Sequence, residues 1–114
     1  MYTLERLQQM DDRTLEQKAR MIMQAYGAGF YPCTNADHSY LLERLALDIN
    51  HIDYVSNLCV VASTESLHHL NHLRDAAKLL QVTPKERTQA ALLTIQWRRN
   101  ADIVRHMKMI LGRA

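Results

Sequence analysis

The densest run of side chains able to do chemistry is Glu65 to Asp75, which holds three histidines, two carboxylates and an arginine. On a helix, His68 and His72 lie one turn apart, as do Glu65 and His69, and Asp75 follows His72 by three residues. Imidazoles at that spacing can share a divalent ion, with carboxylates as further ligands or as groups that orient a ring. Glu65 and His68 also have the Glu-x-x-His spacing of carboxylate-bridged di-metal bundles, with Asp48 and His51 a looser relative. A complete site of that kind needs two further glutamates, for which Glu16 and Glu43 are the candidates. A His-Glu-x-x-His zinc pattern is absent, because histidine follows His68. The metal reading therefore rests on Glu65, His68, His69 and His72. The plainer reading is a solvated polar face, and no cofactor is expected.

Other chemistry is thinner. Ser63, Thr64 and Ser66 lie near histidines but read as helix caps, without the strained turn that exposes a serine nucleophile. Cys33 follows Pro32 in an expected loop, where an exposed thiol would need a cationic neighbour to become reactive. Cys59 lies in an apolar stretch and reads as a core residue. Two cysteines do not make a disulfide framework. Gly27-Ala28-Gly29 matches neither phosphate-binding glycine pattern. The chain is accordingly expected not to be an enzyme.

Arg98, Arg99, Arg105 and Lys108 give the end of the chain a basic side that could meet phosphates. Asp102 lies among them and can pair with Arg98 or His106. The net charge of +2 conceals a split: residues 1–63 carry 5 basic and 8 acidic residues, and residues 64–114 carry 9 and 4. The basic half could face nucleic acid, or it could complement the acidic half of its own chain or of a second copy.

These groups are carried on elements that read as helices throughout. Strand-like alternation is nearly absent, and only three glycines and two prolines interrupt 114 residues. A first helix is expected from about Leu4 to Tyr26, with a break at Asp11-Asp12 where Asp12 could cap a second start, and Gly27 as its stop. The second runs from after Asn35 to about Ala62, with a seam of Leu42, Leu45, Ile49, Ile52 and Cys59. A third, capped by Ser63 or Thr64, ends near Gln81 with Leu67, Leu70, Leu73, Ala77 and Leu80 inward. Thr83, Pro84 and Glu86 form a capping box with proline in the first turn. From there one long helix is expected to reach Gly112, with Leu93, Trp97, Val104, Met107 and Leu111 on one stripe and Leu92, Ile103 and Ile110 on a neighbouring one. Two stripes place that helix centrally or against a second copy.

The expected fold is thus all-α: one domain over residues 1–114, a small four-helix bundle with a long C-terminal helix, dimeric through its last and second helices. Composition is that of a folded protein, 47% hydrophobic and 23% charged. No stretch is long and apolar enough for a membrane span, and the first residues lack the apolar core of a secretory signal, so a cytoplasmic location is expected. Phe30, Tyr31, Tyr40, Trp97, Ile103, Met107 and Ile110 are the residues suited to hold a protein partner. The expected function is that of a small regulatory or adaptor protein, for example an anti-activator that sequesters a transcription factor or blocks its dimerisation. A metal-binding protein and a nucleic-acid-binding regulator are the alternatives.

Overall fold

The computed structural model describes residues 2–24, 26, 29–62, 73–96 and 100–112, with the backbone alone for 73–76 and 100–101. All the regular structure among them is helical: α1 (Leu4–Gln9), α2 (Asp12–Ile22), α3 (Ala36–Val61), α4 (Leu73–Leu80), α5 (Pro84–Ile95) and α6 (Asn100–Gly112). The all-α expectation holds. No described helix is long and apolar enough to cross a membrane.

Local capping sets most helix starts. Thr3 accepts from the Arg6 amide, Asp11 from that of Thr14 and Asn35 from that of His38. The break in the first expected helix is therefore made by Asp11, not Asp12. Asp11 accepts both the side-chain and backbone bonds of Thr14, which hold its carboxyl below the usual range. Thr83 and Glu86 exchange both bonds of a capping box, and Pro84 occupies the first turn.

Among the described residues the longest helix is α3, at the centre of the chain. It has no internal proline or glycine, but it bends at Asn50, whose backbone (φ −161°, ψ 93°) leaves the helical region. There Asn50 Oδ1 accepts from the Asp53 amide and its Nδ2 donates to the Asp53 carboxylate, so Asn50 caps a second helical segment inside the first. The bend breaks the expected seam. Leu42, Leu45 and Ala46 are buried before it; Tyr54, Cys59 and Val61 are buried after it, and Ile52 is turned to solvent.

The region expected to be one long last helix contributes α5 and α6. In α5 burial extends around the helix: Arg87, Thr88, Gln89, Ala90, Ala91, Leu92, Thr94 and Ile95 are all inside. α3 packs most extensively on it, and α1 and α2 also touch it. The central placement allowed by the two apolar stripes is thus realised by α5, while α6 packs on α3. Polar side chains of α5 find bonds inside the protein. Thr88 and Thr94 hydroxyls donate to the carbonyls of Pro84 and Ala90, one turn back, and Asn57 of α3 donates to Thr94. Gln96 ties the chain start to the end of α5: the Tyr2 amide donates to its Oε1 at 2.6 Å, and its Nε2 donates to the Tyr2 carbonyl at 3.0 Å.

Two further expectations are corrected. Ala77 and Leu80 are exposed, Leu80 at 85%, because the chain enters the core just beyond α4 at Val82. Cys33 is buried, since the turn carrying it packs with Leu7, Leu15 and Leu92.

Arg87 makes the most costly of these burials. Arg87→Ala should destabilise the protein by about 3 kcal/mol or more, because it leaves Glu43 half-buried without its cation. Thr83→Ala should cost only about 1 kcal/mol, the value of one cap. Urea unfolding of the two variants checks the ordering.

Candidate interaction site

The connection from α2 to α3 is a tight aromatic corner. Tyr31-Pro32-Cys33-Thr34 makes a turn in which the Tyr31 carbonyl accepts from the amides of Thr34 and Asn35, with proline at the second position, where its fixed φ fits. Asn35 then caps α3 and places His38 in the first helical turn, directed back over the loop. His38 Nδ1 accepts the Tyr31 amide at 2.9 Å, and Nε2 lies 3.0 Å from the Tyr26 hydroxyl. With Nδ1 an acceptor, the neutral ring carries its proton on Nε2 and donates it to Tyr26. Phe30 stacks on His38 at 5.3 Å, and Tyr26 meets both rings at 5.0 and 5.2 Å.

Two arginines fix the outer rings. Arg20 of α2 donates from Nε to the Phe30 carbonyl at 3.0 Å, and its guanidinium sits 4.8 Å from the centre of the Tyr31 ring. Arg87 of α5 sits 4.2 Å from the centre of the Tyr40 ring and donates from Nη1 to Ser39 Oγ at 2.8 Å. Its Nε is 2.9 Å from Glu43 Oε2, but the N–H misses the carboxylate, so that contact is an ion pair and not a hydrogen bond. Glu43 also accepts from the Tyr54 hydroxyl at 2.7 Å. Burial, and then that bond, push the Tyr54 hydroxyl far above the usual phenol range. Tyr31 and Tyr40, 46% and 50% exposed, therefore show solvent one part of each ring while cations hold the rings in place.

Of the residues expected to hold a partner, Tyr31 and Tyr40 are at the surface. Phe30, Ile103, Met107 and Ile110 are not: all four belong to the main core with Leu42, Leu45 and Ala91, where α6 and the loop close over α3 and α5. Trp97 lies outside the described residues. Arg20, His38 and Arg87 hold this corner in addition to the residues expected from the sequence. For His38 a local signal existed, since Asn35 caps and His38 is three residues on. For Arg87 none did, because its partners lie on another helix.

The metal alternative finds its described members apart. Asp48 Oδ2 is 2.5 Å from His106 Nδ1, and Glu43 is engaged by Arg87 and Tyr54. Glu16 is buried on α2 with Oε2 unpartnered, beside Cys33. Among the described residues no group of three or more ligand-type side chains could hold an ion. Glu65, His68, His69 and His72 lie outside the described residues. For the nucleic-acid alternative, Arg105 and Lys108 are exposed, and Arg105 lies 3.4 Å from Asp102. Arg98 and Arg99 lie outside the described residues. Among the described residues, three contacts join cationic or ionisable groups of the second half to carboxylates of the first: Lys85 to Asp12, Arg87 to Glu43 and His106 to Asp48. The two halves of the chain thus complement each other.

Burial pushes the Cys33 thiol up to about 12, with the Glu16 and Asp12 carboxylates adding to the effect. The thiol is held protonated and is a poor nucleophile.

No protein-family model, curated protein or solved structure matches the chain.

The shifts of Cys33 and Tyr54 have the same sign. Folding tightens the hold on both protons, so the stabilisation is complete below the ordinary thiol value near 9 and is lost as pH rises toward 12. Unfolding free energy should fall over that window, and Cys33→Ala should flatten part of the fall. In the folded protein at pH 8, peptide mapping after iodoacetamide should find Cys33 unlabelled.

Proposed function

We propose that this chain is a small regulatory or adaptor protein, not an enzyme, that works in the cytoplasm by binding another protein. An anti-activator that sequesters a transcription factor or blocks its dimerisation is the form the reading takes. The observation that carries it is the pair of exposed tyrosines, Tyr31 and Tyr40, each stacked under an arginine. Tyrosine and arginine are the residues that most often dominate protein interfaces. Rings already held in place lose little freedom on docking, so more of the contact energy becomes affinity. Tyr26, 40% exposed and bonded to His38, extends the same edge.

The reading includes a homodimer. The seam is that of the second and last helices, and Ile52 and Val60, exposed on the second part of α3, with Met109, exposed on α6, are apolar side chains on which a second copy would close. Sedimentation equilibrium at micromolar concentration should give twice the chain mass, and Ile52→Asp should return it to the monomer; a monomeric parent protein removes the dimer.

The partner is tested by affinity capture from the source cells after nuclease treatment, with the Tyr31→Ala/Tyr40→Ala variant in parallel. The parent chain should retain one protein near stoichiometric amount. The variant should bind it at least about 30-fold more weakly, as expected for loss of about 2 kcal/mol at an interface anchor. Its own stability should fall by about 2–3 kcal/mol, the value of one partly exposed cation–π contact at Arg20 and one at the buried Arg87. Equal capture by both proteins, or no partner, overturns the reading.

A further inference from the structure

Between α2 and α6 lies a cavity of about 260 Å3 that is independent of the tyrosine edge. Its inner surface includes Ile22, Ile103 and Met107, the last two nearly inaccessible to water. Its outer surface includes Met21 and Val104, which are 71% and 40% exposed. Exposed thioether and aliphatic groups leading to a buried apolar floor make a site for an apolar body, and methionine adapts to its shape.

Among the described residues the polar part of the lining is Tyr2, Lys18 and Gln24, one cation and no anion. The Lys18 ammonium rests 4.8 Å from the centre of the Tyr2 ring. Among the described residues no carboxylate lies within ion-pair distance of it. Tyr2 is itself held through its backbone by Gln96, so the wall that presents the cation is formed in advance. We propose that this cavity binds a small apolar monocarboxylate, with its hydrocarbon part against Ile22, Ile103 and Met107 and its carboxylate on Lys18. The volume lies just below the range of about 300–1,000 Å3 that holds drug-sized ligands, which selects a medium-length chain or a single aryl ring over a long-chain lipid.

The test is NMR of the full chain labelled with 13C at the methionine methyls, titrated with decanoate below its micelle concentration. Decanol, decyltrimethylammonium and 4-phenylbutyrate are run in parallel, the last to separate an aryl from a linear body. The Met21 and Met107 methyls should shift together and saturate, while those of Met10 and Met109 stay in place. From hexanoate to decanoate the affinity should rise roughly threefold to fourfold per methylene. Decanoate should bind roughly tenfold tighter than decanol, and decyltrimethylammonium more weakly still. Lys18→Gln should abolish the preference for acid over alcohol and leave alcohol binding unchanged, and Val104→Trp should fill the mouth and remove both. Absence of saturable shifts, equal shifts at all methionines, or equal affinity for acid and ammonium overturns the proposal.

Discussion

The burial of α5 on nearly every side is the constraint from which the rest of the structure follows. A core helix in so small a protein would ordinarily be apolar all round. Here it carries Arg87, Thr88, Gln89 and Thr94 inside. The threonines can be buried because each hydroxyl bonds a carbonyl of its own helix, which satisfies the donor without a partner from outside. Ala90 and Ala91 keep the cylinder narrow where the core closes on it. A longer side chain at either position would have to displace the core they share with Leu42, Leu45 and Ile95.

Arg87 carries that constraint to the surface. A guanidinium taken out of water must be surrounded by compensating groups, and Glu43, Ser39 and Tyr40 of α3 supply a charge, an acceptor and an aromatic face. The orientation of exposed Tyr40 is therefore a consequence of how a core charge is neutralised. Tyr31 is fixed in the same way from the other side of the corner, by Arg20, whose guanidinium also bonds the Phe30 carbonyl. The surface proposed for partner binding is thus rigid because it is the outer layer of interactions that stabilise the fold.

What could be read in the sequence was what is local. Asn35 and the Thr83–Glu86 box announce helix starts within four residues, and the apolar spacing that predicted the second helix matches α3 almost end to end. The bend at Asn50 was also local, since Asn50 and Asp53 have the spacing of a cap and its third residue, but an uninterrupted apolar pattern concealed it. The division between inside and outside was not legible in the same way. Phe30, Ile103, Met107 and Ile110 look like interface anchors by type, yet they fill the core because α6 returns to α3. Arg87 looks like one more solvated cation until a carboxylate 44 positions earlier is placed beside it.

The acidic first half and basic second half raised the prospect of an external polyanion, but Lys85, Arg87 and His106 each turn to a carboxylate of the first half. Charge asymmetry along the chain thereby becomes cohesion between its parts. What remains at the aromatic corner is mostly ring surface, with both arginines already committed to tyrosine faces and backbone or side-chain acceptors. A partner docking there would be selected by the shape of the rings and the apolar area they bury, not by long-range attraction. Screening by salt acts weakly on contacts of that kind and strongly on phosphate binding. The salt dependence of association is therefore the physical quantity on which the protein-binding and nucleic-acid-binding alternatives diverge most sharply.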